Sequence, residues 1–167
     1  MKKEQYLSMT EALRKNPRRK ALVQRVNRGL TGLVFFCYPL YLCLLLVKKD
    51  ALLLQAVTVP AVSFVVVSVF RRIVNEPRPY EKFKIPPVLS KETKGKSFPS
   101  RHVFSVFVIA VTVFVRCPAA GLLLGAAGVL LGVIRVVGGV HEPRDVIAGA
   151  VFGIASGVIG YYLIPFA

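Results

Sequence analysis

Residues 29–47 read GLTGLVFFCYPLYLCLLLV, nineteen positions without a charged side chain. At about 1.5 Å per residue a helix of that length is about 28 Å long, close to the hydrocarbon thickness of a bilayer. After the polar turn Lys48-Lys49-Asp50, a second run extends from Ala51 to Phe70. Three more follow: His102 to Val115, Ala119 to about Ile134, and Val146 to Ile164. Pro39 and Pro60 lie inside the first two, which membrane helices tolerate. The third is short for a crossing and must extend or sit where the bilayer is thin. The expected fold is an all-α membrane protein with about five transmembrane helices.

Composition agrees with that reading. Of 167 residues, 54% are hydrophobic and 19% charged, with a mean hydropathy of +0.60, which excludes disordered, coiled-coil and collagen-like chains. The balance of 23 Lys and Arg against 8 Asp and Glu gives a formal charge of +15. In a soluble domain that charge would suggest nucleic acid. In a membrane chain it points instead to anionic lipid headgroups or phosphorylated substrates, and to the bias that sets topology. Cys37, Cys43 and Cys117 lie in or beside apolar runs with no zinc spacing, and are read as small apolar residues.

Two segments are polar. Residues 1–28 carry nine Lys and Arg, with Tyr6, Met9 and Leu13 at helical spacing, repeated by Leu22 and Val26 after Pro17. They predict a basic amphipathic segment on the membrane surface rather than a signal peptide. Residues 71–101 carry nine Lys and Arg and five Pro and predict a long loop of a kind that is usually functional. Residues 29–167 then form the membrane domain around that loop. Gly121, Gly125, Gly128 and Gly132 mark one helix, and Gly149, Gly153 and Gly157 another. Such rows permit close backbone packing within a bundle or a homodimer seam.

The ionisable residues beside the spans form three clusters: Arg71, Arg72 and Arg78; Ser100, Arg101 and His102; Arg135, His141 and Asp145. Alternating spans bring all three to one side. His102 and His141 are the two histidines of the chain. Arginine suits bidentate phosphate contacts, and Ser100 and His141-Glu142-Pro143 read as helix N-termini, which favour anions. Asp145 follows His141 by four residues, within reach of an imidazole nitrogen whose tautomer it would fix.

These residues resemble a known family. Arg71 and Arg78-Pro79 look like the K-x6-R-P motif of the type 2 phosphatidic acid phosphatases, the superfamily that includes vanadium haloperoxidases. Phe98-Pro99-Ser100-Arg101-His102 resembles P-S-G-H, and Arg135, His141 and Asp145 match R-x5-H-x3-D. The three motifs stand in family order. The departures are Arg71 for Lys, Ile134 where Ser is frequent, and Arg101 for Gly.

The resemblance implies a metal-free, cofactor-free phosphohydrolase working through a phosphohistidine. His141 would be the nucleophile, Asp145 its orienter and His102 the general acid. Arg71, Arg78, Ser100, Arg101 and Arg135 would hold phosphate oxygens. A site at the membrane surface suggests a lipid phosphate or diphosphate: phosphatidate, phosphatidylglycerophosphate or a polyprenyl diphosphate, in a bacterial cell membrane. Two other classes are a non-catalytic relative that binds anionic lipid or a partner, and a small transporter or channel. The intact His141–Asp145 pair favours the enzyme, since lipid binding needs no such pair.

Sidedness follows from charge. With five spans, residues 1–28, 71–101 and 135–144 share one side and hold 20 of the 23 Lys and Arg, against Lys48, Lys49 and Arg116 on the other. That predicts a cytoplasmic active face. Family members acting on undecaprenyl diphosphate are expected to work outside, so the bias favours a substrate presented at the inner leaflet.

Overall fold

The computed structural model describes residues 1–90 and 93–164. Positions 91 and 92 of the expected loop and 165–167 of the expected membrane domain lie outside the described residues. The described chain is helical: α1 (Lys3–Lys15), α2 (Pro17–Val47), α3 (Leu53–Val74), α4 (Pro79–Phe83), α5 (Arg101–Phe114), α6 (Pro118–Val137) and α7 (Pro143–Val158), the last continued by a π-helical turn over Ile159–Leu163. Four of these segments are long and apolar enough to cross a membrane, and α5 is a shorter apolar helix. Their outward faces carry large exposed side chains such as Phe35, Ile73 and Leu123, as lipid contact requires.

The short helix is the centre of the bundle. The side chains of Val103, Phe104, Val106, Val108, Ile109, Ala110 and Val113 are all buried, because α6 and α7 pack along its length and α2 and α3 add to the ring. A fourteen-residue helix is only about 21 Å long, yet it joins both ends of the bundle. At one end Arg116, just past α5, pairs at 2.7 Å with Asp50 in the α2–α3 turn. At the other, the Ser100 amide donates to the Asp145 carbonyl at 2.8 Å. Both of its ends are tied to other elements of the bundle, so α5 need not match the bilayer thickness by its own length.

The glycine rows are used inside this packing. A Cβ on Gly149 would stand 2.7 Å from the Ser100 carbonyl oxygen, and one on Gly153 would stand 2.6 Å from that of Phe104. Gly157 meets Val111, Gly121 meets the backbone of Phe114, and Gly128 meets Val106 and Phe107. These are contacts with α5 or its immediate end. On these rows the bundle-packing alternative is realised: α5 of the same chain occupies them. Gly125 alone of the two rows has open space beside it.

Several boundaries differ from those read in the sequence. The N-terminal helix ends at Lys15, and Asn16 caps α2 by accepting from the amides of Arg18 and Arg19 with Pro17 at the first helical position. Residues 17–28 are thus the first turns of the first span. Residues 71–74 are likewise the last turn of α3, which stops at Asn75 in the left-handed conformation (φ 42°). The connection to α5 contains the short helix α4.

The N-terminal helix lies at the site end of the bundle, and its apolar face meets protein. Tyr6 and Thr10 are fully buried. The Tyr6 hydroxyl donates to the carbonyls of Gly139 (3.2 Å) and Ile85 (3.3 Å). Burial raises this phenol to about 12, so it keeps the proton it donates. Gly139 is held at φ +74°, and a Cβ there would also strike the Tyr6 hydroxyl. The amides of Val88 and Leu89 donate to the Gly138 carbonyl, closing the α3–α5 connection onto the α6–α7 turn.

Candidate active site

The three expected clusters meet at this end. Arg71 comes from α3, Arg78 from the residue capping α4, Ser100 and His102 from the start of α5, Arg135 from α6, and His141 and Asp145 from the approach to α7 and its first turn. Arg71, Arg78, Ser100, Arg135, His141 and Asp145 are all buried. Three guanidinium groups and an imidazole are thus withdrawn from water beside the one carboxylate of Asp145, an arrangement that favours an added anion.

His141 lies just before α7, whose cap is Glu142 with Pro143 first in the helix. Its Nδ1 is 3.5 Å from Asp145 Oδ2. The same carboxylate oxygen accepts from the Ser97 hydroxyl at 2.6 Å and from the Glu142 amide at 2.9 Å. Asp145 is therefore fixed by two donors and turned toward the imidazole, which places the imidazole proton on Nδ1. The other nitrogen, Nε2, faces Arg78 Nη1 at 3.4 Å and carries its lone pair there. Burial, with the charges of Arg135 and Arg78, drives the His141 pKa down to about 3 against the pull of Asp145. That shift favours the neutral ring with its lone pair at Nε2, the form that can act as a nucleophile.

The second histidine has the opposite polarity. Arg135 Nη2 lies 3.1 Å from His102 Nδ1. A guanidinium cannot accept a hydrogen bond, so Nδ1 accepts and the ring proton sits on Nε2. Arg135 Nη1 donates to Asn27 Oδ1 on α2 at 3.2 Å, and its Nε has no partner. The buried Ser100 hydroxyl also has none. Ser100 stands at the cap position of α5 without capping it through its side chain, contrary to the simplest reading of a serine there. Its hydroxyl and the Arg135 Nε are donors left over for a ligand.

The other two arginines shape the wall. Arg71 donates to the carbonyls of Ser97 (3.3 Å) and Lys96. Arg78 donates to those of Gly95 (3.1 Å) and Val140 (3.0 Å). Glu81 accepts from the amides of Arg78 and Gly95 and fixes the same stretch. The guanidinium groups thus pull residues 95–97 over the histidine while remaining in the pocket. Arg101 differs. It is exposed, with its Cζ 5.3 Å above the Phe64 ring on α3.

Two contributors had no signal in the sequence. Ser97 sits in a basic loop and reads as a surface serine, yet it is buried on the Asp145 carboxylate. Asn27 reads as part of a polar leader, yet it orients Arg135 from outside the three motifs. Among the described residues no group of three His, Cys, Asp or Glu side chains is placed to hold a metal ion.

Comparison with known proteins bears on this geometry. The family model described as the PAP2 superfamily matches residues 52–167. Over 108 residues the chain is 29% identical to the bacitracin transport permease protein BcrC of Bacillus licheniformis, a match covering 62% of this chain and 53% of that protein. The chain thus spans about half the length of the curated relative it matches. Aquifex aeolicus LpxE superposes with a TM-score of 0.73 at 24% identity, over 94% of this chain and 92% of the other. The first transmembrane PAP2 type phosphatidylglycerolphosphate phosphatase from Bacillus subtilis superposes with a TM-score of 0.62 at 20% identity, over 93% and 90%. At those identities the two structures show likeness of fold.

Proposed function

The chain belongs to the PAP2 superfamily, and from that premise we propose that it hydrolyses a membrane lipid phosphate or diphosphate through a phosphohistidine. The observation that carries the reading is the orientation of His141: Nδ1 toward a doubly fixed carboxylate, Nε2 toward a guanidinium, in a ring held neutral. A residue that only bound an anion would be protonated and would present N–H groups.

In this reading the substrate phosphate enters between His141 Nε2 and the side chains of Arg78, Ser100 and Arg135. Arg135 turns its unpartnered Nε, and then Nη2, to the phosphate. That releases His102 Nδ1 to take a proton, so that Nε2–H can pass to the leaving oxygen. His141 attacks phosphorus in line, and the charge that forms on its ring is met by Asp145. The arginines and Ser100 hold the equatorial oxygens as charge redistributes. Water then enters on the side the leaving group vacates, gives its proton to His102 and releases inorganic phosphate. The test is phosphate release by the purified protein from short-chain phosphatidate and farnesyl phosphates in excess EDTA. Undiminished turnover is expected. Activity abolished by EDTA and restored by Mg²⁺ would overturn the metal-independent mechanism.

We also place the catalytic end on the cytoplasmic side, on the distribution of 20 against 3 basic residues. The four arginines at positions 71, 78, 101 and 135 belong to the site, and leaving them out still gives 16 against 3. In a background lacking Cys37, Cys43 and Cys117, an impermeant maleimide on intact cells should label a cysteine at Asp50 and spare one at Ser90. The reverse pattern would put the site outside.

A further inference from the structure

Arg101 stands where the resembled motif P-S-G-H has glycine. It opens α5 beside His102, and its guanidinium lies on Phe64 at the head of an apolar cavity of about 330 Å³ between α2, α3 and α5. Val34 and Tyr38 of α2 and Ile109 of α5 line the remainder, with His102 at the same mouth. Among the described residues no carboxylate forms an ion pair with Arg101, although its charge is felt by Arg71 and Arg78. Arg101 is exposed at the first residue of α5 and rests on the face of one aromatic ring, so its charge is available to an anion at that mouth.

Which anion follows from chemistry. If His102 protonates the leaving oxygen, the leaving group extends from phosphorus toward His102, and its hydrocarbon tail toward the cavity that His102 borders. In a lipid monophosphate the leaving oxygen is bonded to carbon, and nothing charged lies between it and the tail. In a lipid diphosphate the leaving oxygen belongs to a second phosphate, which lies between His102 and the tail, where Arg101 stands. We propose that Arg101 binds the phosphate that stays on the lipid, making lipid diphosphates the preferred substrates. The inference rests on the proposed roles of His141 and His102.

The step balances. The His141 Nε2–phosphorus bond forms as the bond from phosphorus to the bridging oxygen breaks. That oxygen keeps the electron pair and takes the proton from His102. The lipid monophosphate, held by Arg101 through its remaining phosphate until it leaves the cavity, departs, and water later cleaves the phosphorus–nitrogen bond. The sum is lipid diphosphate plus water to lipid monophosphate plus inorganic phosphate.

The test uses farnesyl diphosphate and farnesyl monophosphate, which share one tail and differ in that phosphate. For the purified full-length protein in detergent and EDTA, kcat/KM should favour the diphosphate by about tenfold or more, the scale of one charge-assisted contact. Arg101→Gly should reduce that ratio about tenfold, chiefly through the KM for the diphosphate, and Arg101→Lys should keep more of it than Arg101→Gln. A wild-type ratio near one, or variants that lower both substrates equally, would overturn the proposal while leaving the phosphatase reading intact. Failure to hydrolyse these two or any other lipid phosphate would overturn both.

Discussion

Replacing His141 with alanine should reduce kcat by at least about 10⁴-fold, to the limit of detection, because no other neutral nitrogen faces the pocket from so fixed a position. Binding of a lipid phosphate should survive. Arg71, Arg78, Ser100 and Arg135 reach the pocket from α3, the α4 cap, α5 and α6, and none takes its position from the imidazole alone. The measurement is single-turnover hydrolysis beside equilibrium binding of the same lipid, with helix content as the control for folding. Hydrolysis by His141→Ala within tenfold of wild type would remove the nucleophile from this account.

Asp145→Asn should lower kcat on the order of 10²–10⁴-fold with a much smaller change in KM. The isosteric amide keeps the volume but carries no charge to meet the imidazolium that forms as the nitrogen attacks. The Ser97 hydroxyl, the Glu142 amide and the His141 ring all address the one oxygen Oδ2, so an amide oxygen can keep those contacts and the loss isolates the charge. Ser97→Ala should cost about tenfold in kcat, since Ser97 acts through the carboxylate it positions. Rates and KM values for the two variants, measured on one substrate, separate these roles from simple loss of binding. Equal losses in both parameters would mean that Asp145 serves the structure and not the chemical step.

Much of this molecule can be read before it is folded, for physical reasons that can be named. A bilayer forces long apolar runs, so α2, α3, α6 and α7 stand out by length alone. The three motif clusters stand out because charged residues drawn inside a membrane bundle are expensive and usually functional. The central place of α5 does not follow from its length. It follows from the glycines of α6 and α7, which admit its backbone, and a row of glycines looks the same whether its partner is in the same chain or another. The helical spacing of Tyr6, Met9 and Leu13 likewise shows that α1 has an apolar side and not what covers it. Here the cover is the site end of the protein, and Tyr6 pins the turn before His141. Ser97 and Asn27 escaped because a polar residue in a polar stretch carries no mark until the fold encloses it.

The central claim is a covalent bond from phosphorus to His141, and trapping it is the most direct measurement. The purified protein would be mixed with lipid diphosphate labelled in its terminal phosphate, quenched in alkali within one turnover, and digested for mass spectrometry. The account predicts an acid-labile, alkali-stable phosphoryl group on the peptide containing His141, appearing at the rate of lipid product and absent from His141→Ala. Full turnover with no phosphorylated peptide, or a phosphoryl group on another residue, would contradict it.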